Sequence, residues 1–186
     1  QFGIRRLIVT TLQAISGAGY PGVPSMDIMA NVIPFIGGEE PKIEVETQKI
    51  LGGFDGTNFQ PLSATVSAHC NGVPVIAGHT ATIAVEFENK PTEEQILEAF
   101  RSFVGEPQRL KLPSAPPQPV VYLPQQDRPQ PRRDSMRDRG MTTTVGRLRP
   151  CPVFDYKFVA LAHNTVRGAA GAAVLNAELM FAQGLL

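Results

Sequence analysis

Two runs rich in β-branched and apolar residues, 61–70 and 73–88, narrow the folds open to this chain. Both alternate with the two-residue period of a strand that buries one face, and they predict two long strands of one antiparallel sheet. Asn71-Gly72 stands between them, a pair suited to a tight turn or a bulge. The joining stretch, Ser67 to Thr80, also carries His69 and His79, two of only three histidines in 186 residues. A strand pair and a pair of titratable rings thus share one short segment.

The remaining elements follow from similar patterns. Residues 5–12 are β-branched and read as a buried strand. The Ser16–Gly22 stretch that follows is glycine, proline and small residues, so it forms a connection rather than an element. Residues 41–52 predict a helix, with Pro41 in its first turn, Gly52-Gly53 as its stop, and Ile43, Thr47, Ile50 and Leu51 on one side. Thr92-Glu93-Glu94-Gln95 has the form of a capping box ahead of an apolar stripe of Ile96, Leu97, Phe100 and Val104. Eight prolines between 107 and 131 predict an extended excursion, since proline has no amide donor and a fixed φ. Val120–Leu123 can add a short edge strand to it, and Arg128–Arg149 reads as a solvated loop of mixed charge. Strands are expected over 142–148 and 154–162. Asn164 is placed to cap a final helix, whose glycines at 168 and 171 imply that another backbone passes close by. The whole predicts an α+β fold: a mixed, largely antiparallel sheet with helices packed on one face. Residues 1–186 form one domain, with a Pro/Arg-rich excursion over 107–140 and a C-terminal helix over 164–186.

Composition removes several classes of function. Seventeen basic residues balance seventeen acidic ones, leaving no net field to steer nucleic acid or lipid. No apolar run has the length of a membrane span. Cys70 and Cys151 form neither a disulfide framework nor a zinc spacing, so a reducing cytoplasm is the expected setting.

Several segments together, Thr11–Gly17 with Gln13, Gly38-Glu39-Glu40-Pro41-Lys42, and Val73-Pro74-Val75-Ile76-Ala77-Gly78-His79, resemble the aspartate-semialdehyde dehydrogenases of the archaeal and fungal type. The resemblance covers the second half of that family, its substrate-binding and dimerisation domain with the returning C-terminal helix. It implies that His79 is the acid/base partner of a nucleophilic cysteine, a task suited to imidazole. Spacing alone favours a histidine satisfied by hydrogen bonds within a strand, and only the resemblance reverses that order. The resemblance also implies that Glu39 receives the substrate amino group, Lys42 takes a phosphate or acyl phosphate, and Gln13 orients the acyl group. Read without it, Glu39 and Lys42 are a surface ion pair. His69 and Cys70 point to opposite strand faces as sequence neighbours, and both read as structural.

Three departures from the family shape the functional expectation. The family's nucleophilic cysteine has no counterpart here. No glycine-rich fingerprint opens a helix after a strand, so no dinucleotide cofactor is expected on these residues. Gly72 stands where the family has an arginine that clamps the substrate carboxylate, a loss worth about 2–5 kcal/mol for a buried carboxylate. These departures predict a repurposed, cofactor-independent enzyme. His79 and Glu39 would carry acid/base catalysis and Gln13, Lys42 and Gly72 would line the substrate site, for a non-redox isomerisation, cyclisation or elimination. Two alternatives stand beside it: part of a genuine NADP-dependent dehydrogenase, and a non-catalytic regulatory subunit. The expected partners are a small-molecule substrate and further copies of the chain docked through the sheet.

Overall fold

The computed structural model describes all 186 residues. In chain order its elements are β1 (Ile4–Ala14), α1 (Ser25–Ile28), α2 (Glu39–Ile50), β2 (Gly53–Phe54), β3 (Phe59–Gln60), β4 (Thr65–Val73), β5 (His79–Phe87), α3 (Glu93–Ser102), α4 (Glu106–Arg109), β6 (Val120–Leu123), α5 (Pro131–Asp134), β7 (Thr143–Pro150), β8 (Tyr156–Ala162) and α6 (Gly171–Ala182). Six strands form one sheet in the order β4-β1-β5-β8-β7-β6, while β2 and β3 make a separate small hairpin. The sheet is mixed: β4 runs parallel to β1 and β6 parallel to β7, and the other pairs are antiparallel. The expected α+β architecture is therefore present.

One pairing differs from expectation. β4 and β5 lie in the same sheet but are not neighbours, because β1 is inserted between them. Asn71-Gly72 is not a turn. It lies inside β4 opposite Leu12 and Gln13, and the chain reverses instead at 74–78. The parallel β1–β4 pair needs a long crossover, which α2 supplies. Sequence alternation located both strands, but it carries no information about a third strand entering from 60 residues away.

Edge protection explains a second difference. α2 runs along the free edge of β4 with a polar face: Glu44 accepts from the Ala68 amide at 3.0 Å, Glu40 from the Cys70 amide at 2.9 Å, and Gln48 donates to the Ala64 carbonyl at 2.7 Å. These three side chains stand four residues apart, one above another on the helix. They occupy groups that an open edge would offer to another chain. Ile43 and Thr47 are half-buried as expected, but Ile50 and Leu51 are exposed, so the predicted apolar side is only half realised.

The core forms on the opposite half of the sheet. The capping box of α3 is closed, with the Gln95 amide donating to Thr92 Oγ1 and the Thr92 amide to Gln95 Oε1. This orients Ile96, 4% exposed, onto Val85, Leu148 and Tyr156, with Leu97 and Phe100 packed beside them. Val104, assigned to the same stripe from sequence, lies beyond the helix and is exposed. The proline-rich excursion contains the expected edge strand, β6. The arginine-rich stretch after it is no solvated loop: the Asp134 side chain is 1% exposed and is held by the Arg128 guanidinium and the Gln130 amide. Burial pushes the Asp134 carboxyl up, and the Arg128 and Gln130 hydrogen bonds overcome that to hold it below its usual range.

Asn164 caps no helix. Residues 166–170 form a wide π turn before α6 begins, and α6 is reached without a side-chain cap. Gly171 marks a close approach, but of a side chain rather than the expected backbone: a Cβ there would lie 2.5 Å from Met141 Sδ. No helix is long and apolar enough to cross a membrane. The sheet face away from α3 is left open, with Ile8, Thr10, Thr82, Ala84, Lys157 and Val159 lining a shallow groove.

Replacing Glu40 and Glu44 by alanine, singly, should cost about 1–3 kcal/mol each in urea denaturation, because each leaves a strand amide without its acceptor. Glu46→Ala, on the exposed side of the same helix, should stay within about 0.5 kcal/mol.

Candidate active site

The insertion of β1 builds the site. Its C-terminal end carries Gln13 into a position beside Gly72 on β4, while the start of β5 brings His79 alongside. α2 opens at the same place, so Glu39 and Lys42 of its first two turns face this end of the sheet. Gln13, Glu39, Lys42, Gly72 and His79 all line one cavity of about 690 Å³. Its remaining walls are the 15–19 turn, apolar side chains from 23–36, and Asn164 with the residues just after it. Every residue singled out from sequence for catalysis or binding therefore reaches the same space.

The polar groups are connected. Gln13 Nε2 donates to Glu39 Oε2 at 3.3 Å, and Lys42 Nζ lies 3.5 Å from Glu39 Oε1. A carboxylate and an ammonium side by side, with a carboxamide beside them, suit a ligand that itself carries both charges. His79 is fixed differently. Its Nδ1 accepts the Ala14 backbone N–H at 2.9 Å, and an amide nitrogen can only donate. The neutral ring therefore carries its proton on Nε2. Burial pushes the His79 pKa below its ordinary value, opposed in part by the Glu39 charge. A proton on Nδ1 would also meet the Ala14 donor head on, which disfavours the imidazolium further.

Gly72 exchanges backbone hydrogen bonds with Ile33, its amide donating at 2.8 Å and its carbonyl accepting at 3.0 Å. A Cβ on Gly72 would meet Ile33 no closer than 3.8 Å, so the position has room for a side chain. Neither cysteine is among the residues that line the cavity. Cys70 is 1% exposed, and burial pushes its thiol up. His69 points outward near Glu40, on the opposite strand face as its position beside Cys70 requires. No cluster of three metal-ligating side chains occurs.

The spacing Gly17-x-Gly19-x-x-Gly22 after β1 matches a dinucleotide fingerprint in letters alone. A pyrophosphate cradle needs such a turn to open directly into a helix. Here the residues enter a 3-10 turn over Ile15–Ala18, and the next helix of useful length starts at Glu39. These residues do not fit a dinucleotide.

Sequence reasoning missed Ser16 and Asn164. From sequence, Asn164 reads only as a helix cap, because it precedes a helix. Its partners Ser16 and Gly78 are 148 and 86 residues away, at separations no local pattern reports.

The family description "Semialdehyde dehydrogenase, dimerisation domain" matches residues 1–167. The aspartate-semialdehyde dehydrogenase of Methanothermobacter thermautotrophicus is 51% identical over 181 residues, which are 96% of this chain and 52% of that protein. Its counterpart in Schizosaccharomyces pombe is 51% identical over 183 residues, covering 96% and 51%. The Candida albicans enzyme, solved with NADP, superposes with a TM-score of 0.89 at 45% identity, covering 98% of this chain and 52% of that one. The chain thus spans about half the length of the curated relatives it matches. These relatives overturn the repurposed isomerase, cyclase or lyase expected from sequence, because they are dehydrogenases similar across almost the whole chain. The expectation gave too much weight to one absent side chain at Gly72, while the polar wall of Gln13, Glu39, Lys42 and His79 is present in one cavity. The chain belongs to the semialdehyde dehydrogenase dimerisation-domain family.

Proposed function

We propose that this chain supplies the substrate-binding half of an NADP-dependent aspartate-semialdehyde dehydrogenase, an enzyme of amino-acid biosynthesis. The observation that carries this reading is the convergence of Gln13, Glu39, Lys42 and His79 on one cavity, in a chain about half identical to such enzymes. Aspartate semialdehyde is an amino acid with a reactive carbonyl. Glu39 offers its carboxylate to the substrate ammonium, and Gln13, held against Glu39, orients the acyl group. Lys42 is the cation for a phosphate or acyl phosphate at the mouth, where its side chain is 55% exposed.

His79 acts at the carbonyl. When a nucleophile adds to the carbonyl carbon, its oxygen gains negative charge, and a preset N–H donor aimed at that oxygen stabilises it. The Nε2–H of His79 is such a donor, held by the Ala14 amide behind the ring. The nucleophilic thiol comes from outside these residues, since neither Cys70 nor Cys151 lines the cavity. NADP, when bound to the complete enzyme, accepts the hydride, and its seat also lies outside these residues. The open sheet face with Ile8, Thr10 and Thr82 is the surface for a second copy of the chain.

Mixing this chain with the dinucleotide-binding half of a fungal relative should restore phosphate-dependent reduction of NADP by aspartate semialdehyde, with neither half active alone. In that mixture Glu39→Ala or Lys42→Ala should lower kcat/KM about 10- to 100-fold, as expected for a lost charge-assisted contact. Full activity in both variants contradicts the reading.

The His79 environment also sets a pH dependence. The folded-state pKa lies below the ordinary 6.5, so as pH falls through that value the unfolded chain takes up a proton that the folded chain refuses. Stability is therefore lost on acidification, between 6.5 and the lowered folded value. His79→Gln should lose less stability than wild type between neutral pH and about pH 5 in urea titrations. Equal losses contradict the assigned burial.

A further inference from the structure

Asn164 occupies a junction that no part of the proposed chemistry yet uses. It lies two residues past the end of β8, whose last residue, Ala162, is paired with His79. Its Oδ1 accepts the Gly78 amide at 2.8 Å, and its Nδ2 donates to Ser16 Oγ at 2.8 Å. Both ends of the carboxamide are thereby used. Reversing it would set Nδ2 against the Gly78 N–H, donor facing donor, so the side chain has one orientation.

The two groups it joins are the two walls that hold the imidazole. Gly78 immediately precedes His79 and has φ +98, a conformation other residues adopt only under strain. Its surroundings are tight, since a Cβ there would meet Ser135, Leu161 and Pro131 at 3.1–3.3 Å. Ser16 belongs to the turn that follows Ala14, the residue whose amide binds His79 Nδ1. In that turn Gly17 passes so close that a Cβ would lie 3.2 Å from His79 Nε2 and 3.7 Å from Asn164 Nδ2. The turn is also tied to the 74–78 connection by backbone bonds from Ile15 to Val75 and from Ser16 to Ile76. Asn164 closes this ring of contacts from the C-terminal side of the chain.

We propose that Asn164 is a positioning residue, clamping Ser16 to Gly78 so that the Ala14 amide keeps its grip on Nδ1 and the His79 Nε2–H stays presented to the cavity. This rests on His79 being the group that serves the substrate carbonyl. Without the clamp, the Gly78 amide loses its acceptor, the 15–18 turn is released, and Nδ1 is free to carry the proton instead.

The test uses the 186-residue chain labelled with ¹⁵N in its histidines and read by long-range ¹H–¹⁵N correlation at neutral pH. In the wild type, His79 should show a bare Nδ1 and a protonated Nε2. Asn164→Ala should move the two ring nitrogen shifts toward each other as the other tautomer becomes populated. Asn164→Asp should keep the wild-type pattern, because one carboxylate oxygen still accepts from Gly78 and the other accepts the Ser16 hydroxyl proton. Should the alanine variant fail to fold, Ser16→Ala carries the test, with a smaller movement in the same direction. A wild-type ring pattern in Asn164→Ala, or in Ser16→Ala where the former does not fold, overturns the proposal. This readout needs no substrate and no second half, so its failure is separate from any failure of the Glu39 and Lys42 variants in the activity assay.

Discussion

The structure depends on the entry of β1 between β4 and β5. As the second strand of six, β1 makes parallel bonds to one neighbour and antiparallel bonds to the other, and almost every feature of the cavity follows from where it ends. Gln13 reaches the floor beside Gly72, and the next amide, that of Ala14, turns toward the imidazole of His79. A sheet joined by a simple 61–88 hairpin would have placed His79 against β4. The Ala14 donor would then have had no ring to hold.

The insertion has a consequence at the sheet's rim. It leaves β4 as an edge, and an edge with long stretches of free amides invites pairing with other chains. α2 answers this with Glu40, Glu44 and Gln48 laid along that edge. The same helix presents Glu39 and Lys42 at its start, facing the cavity. One helix thus protects the fold on its flank and equips the site at its tip. The other edge, β6, is short, and its surroundings are rich in proline, which has no amide to offer.

The sequence made local elements legible and long-range partners illegible. The Thr92–Gln95 box, the strands of residues 142–162 and the edge strand at Val120 were all readable, because caps and alternation are written within a few residues. The convergence of Gln13, Glu39, Lys42 and His79 on one cavity was legible only through motif resemblance, which encodes tertiary neighbours that spacing cannot. The edge-capping roles of Glu40 and Glu44 have no sequence signal, since nothing nearby announces a strand edge 24 to 30 residues later. Asp134 reads as solvated for a different reason, because it stands among exposed arginines; its partners Arg128 and Gln130 are only six and four residues away, yet it is among the most buried side chains in the molecule. Gly72 taught the opposite lesson. A single departure inside a matching motif is a change at one contact, and it does not outweigh a cavity whose other polar groups are in place.

The cavity's geometry turns on a hydrogen bond between the Ala14 amide and Nδ1 of His79, which only a β1 placed beside β5 can make. Its direct measure is the scalar coupling across that bond between the Ala14 amide nitrogen and the His79 Nδ1, in chain labelled uniformly with ¹⁵N. A resolved coupling, with the ring proton on Nε2, is the predicted result. A proton found on Nδ1, with no coupling to Ala14, would contradict the placement of β1 and the donor role proposed for His79 together.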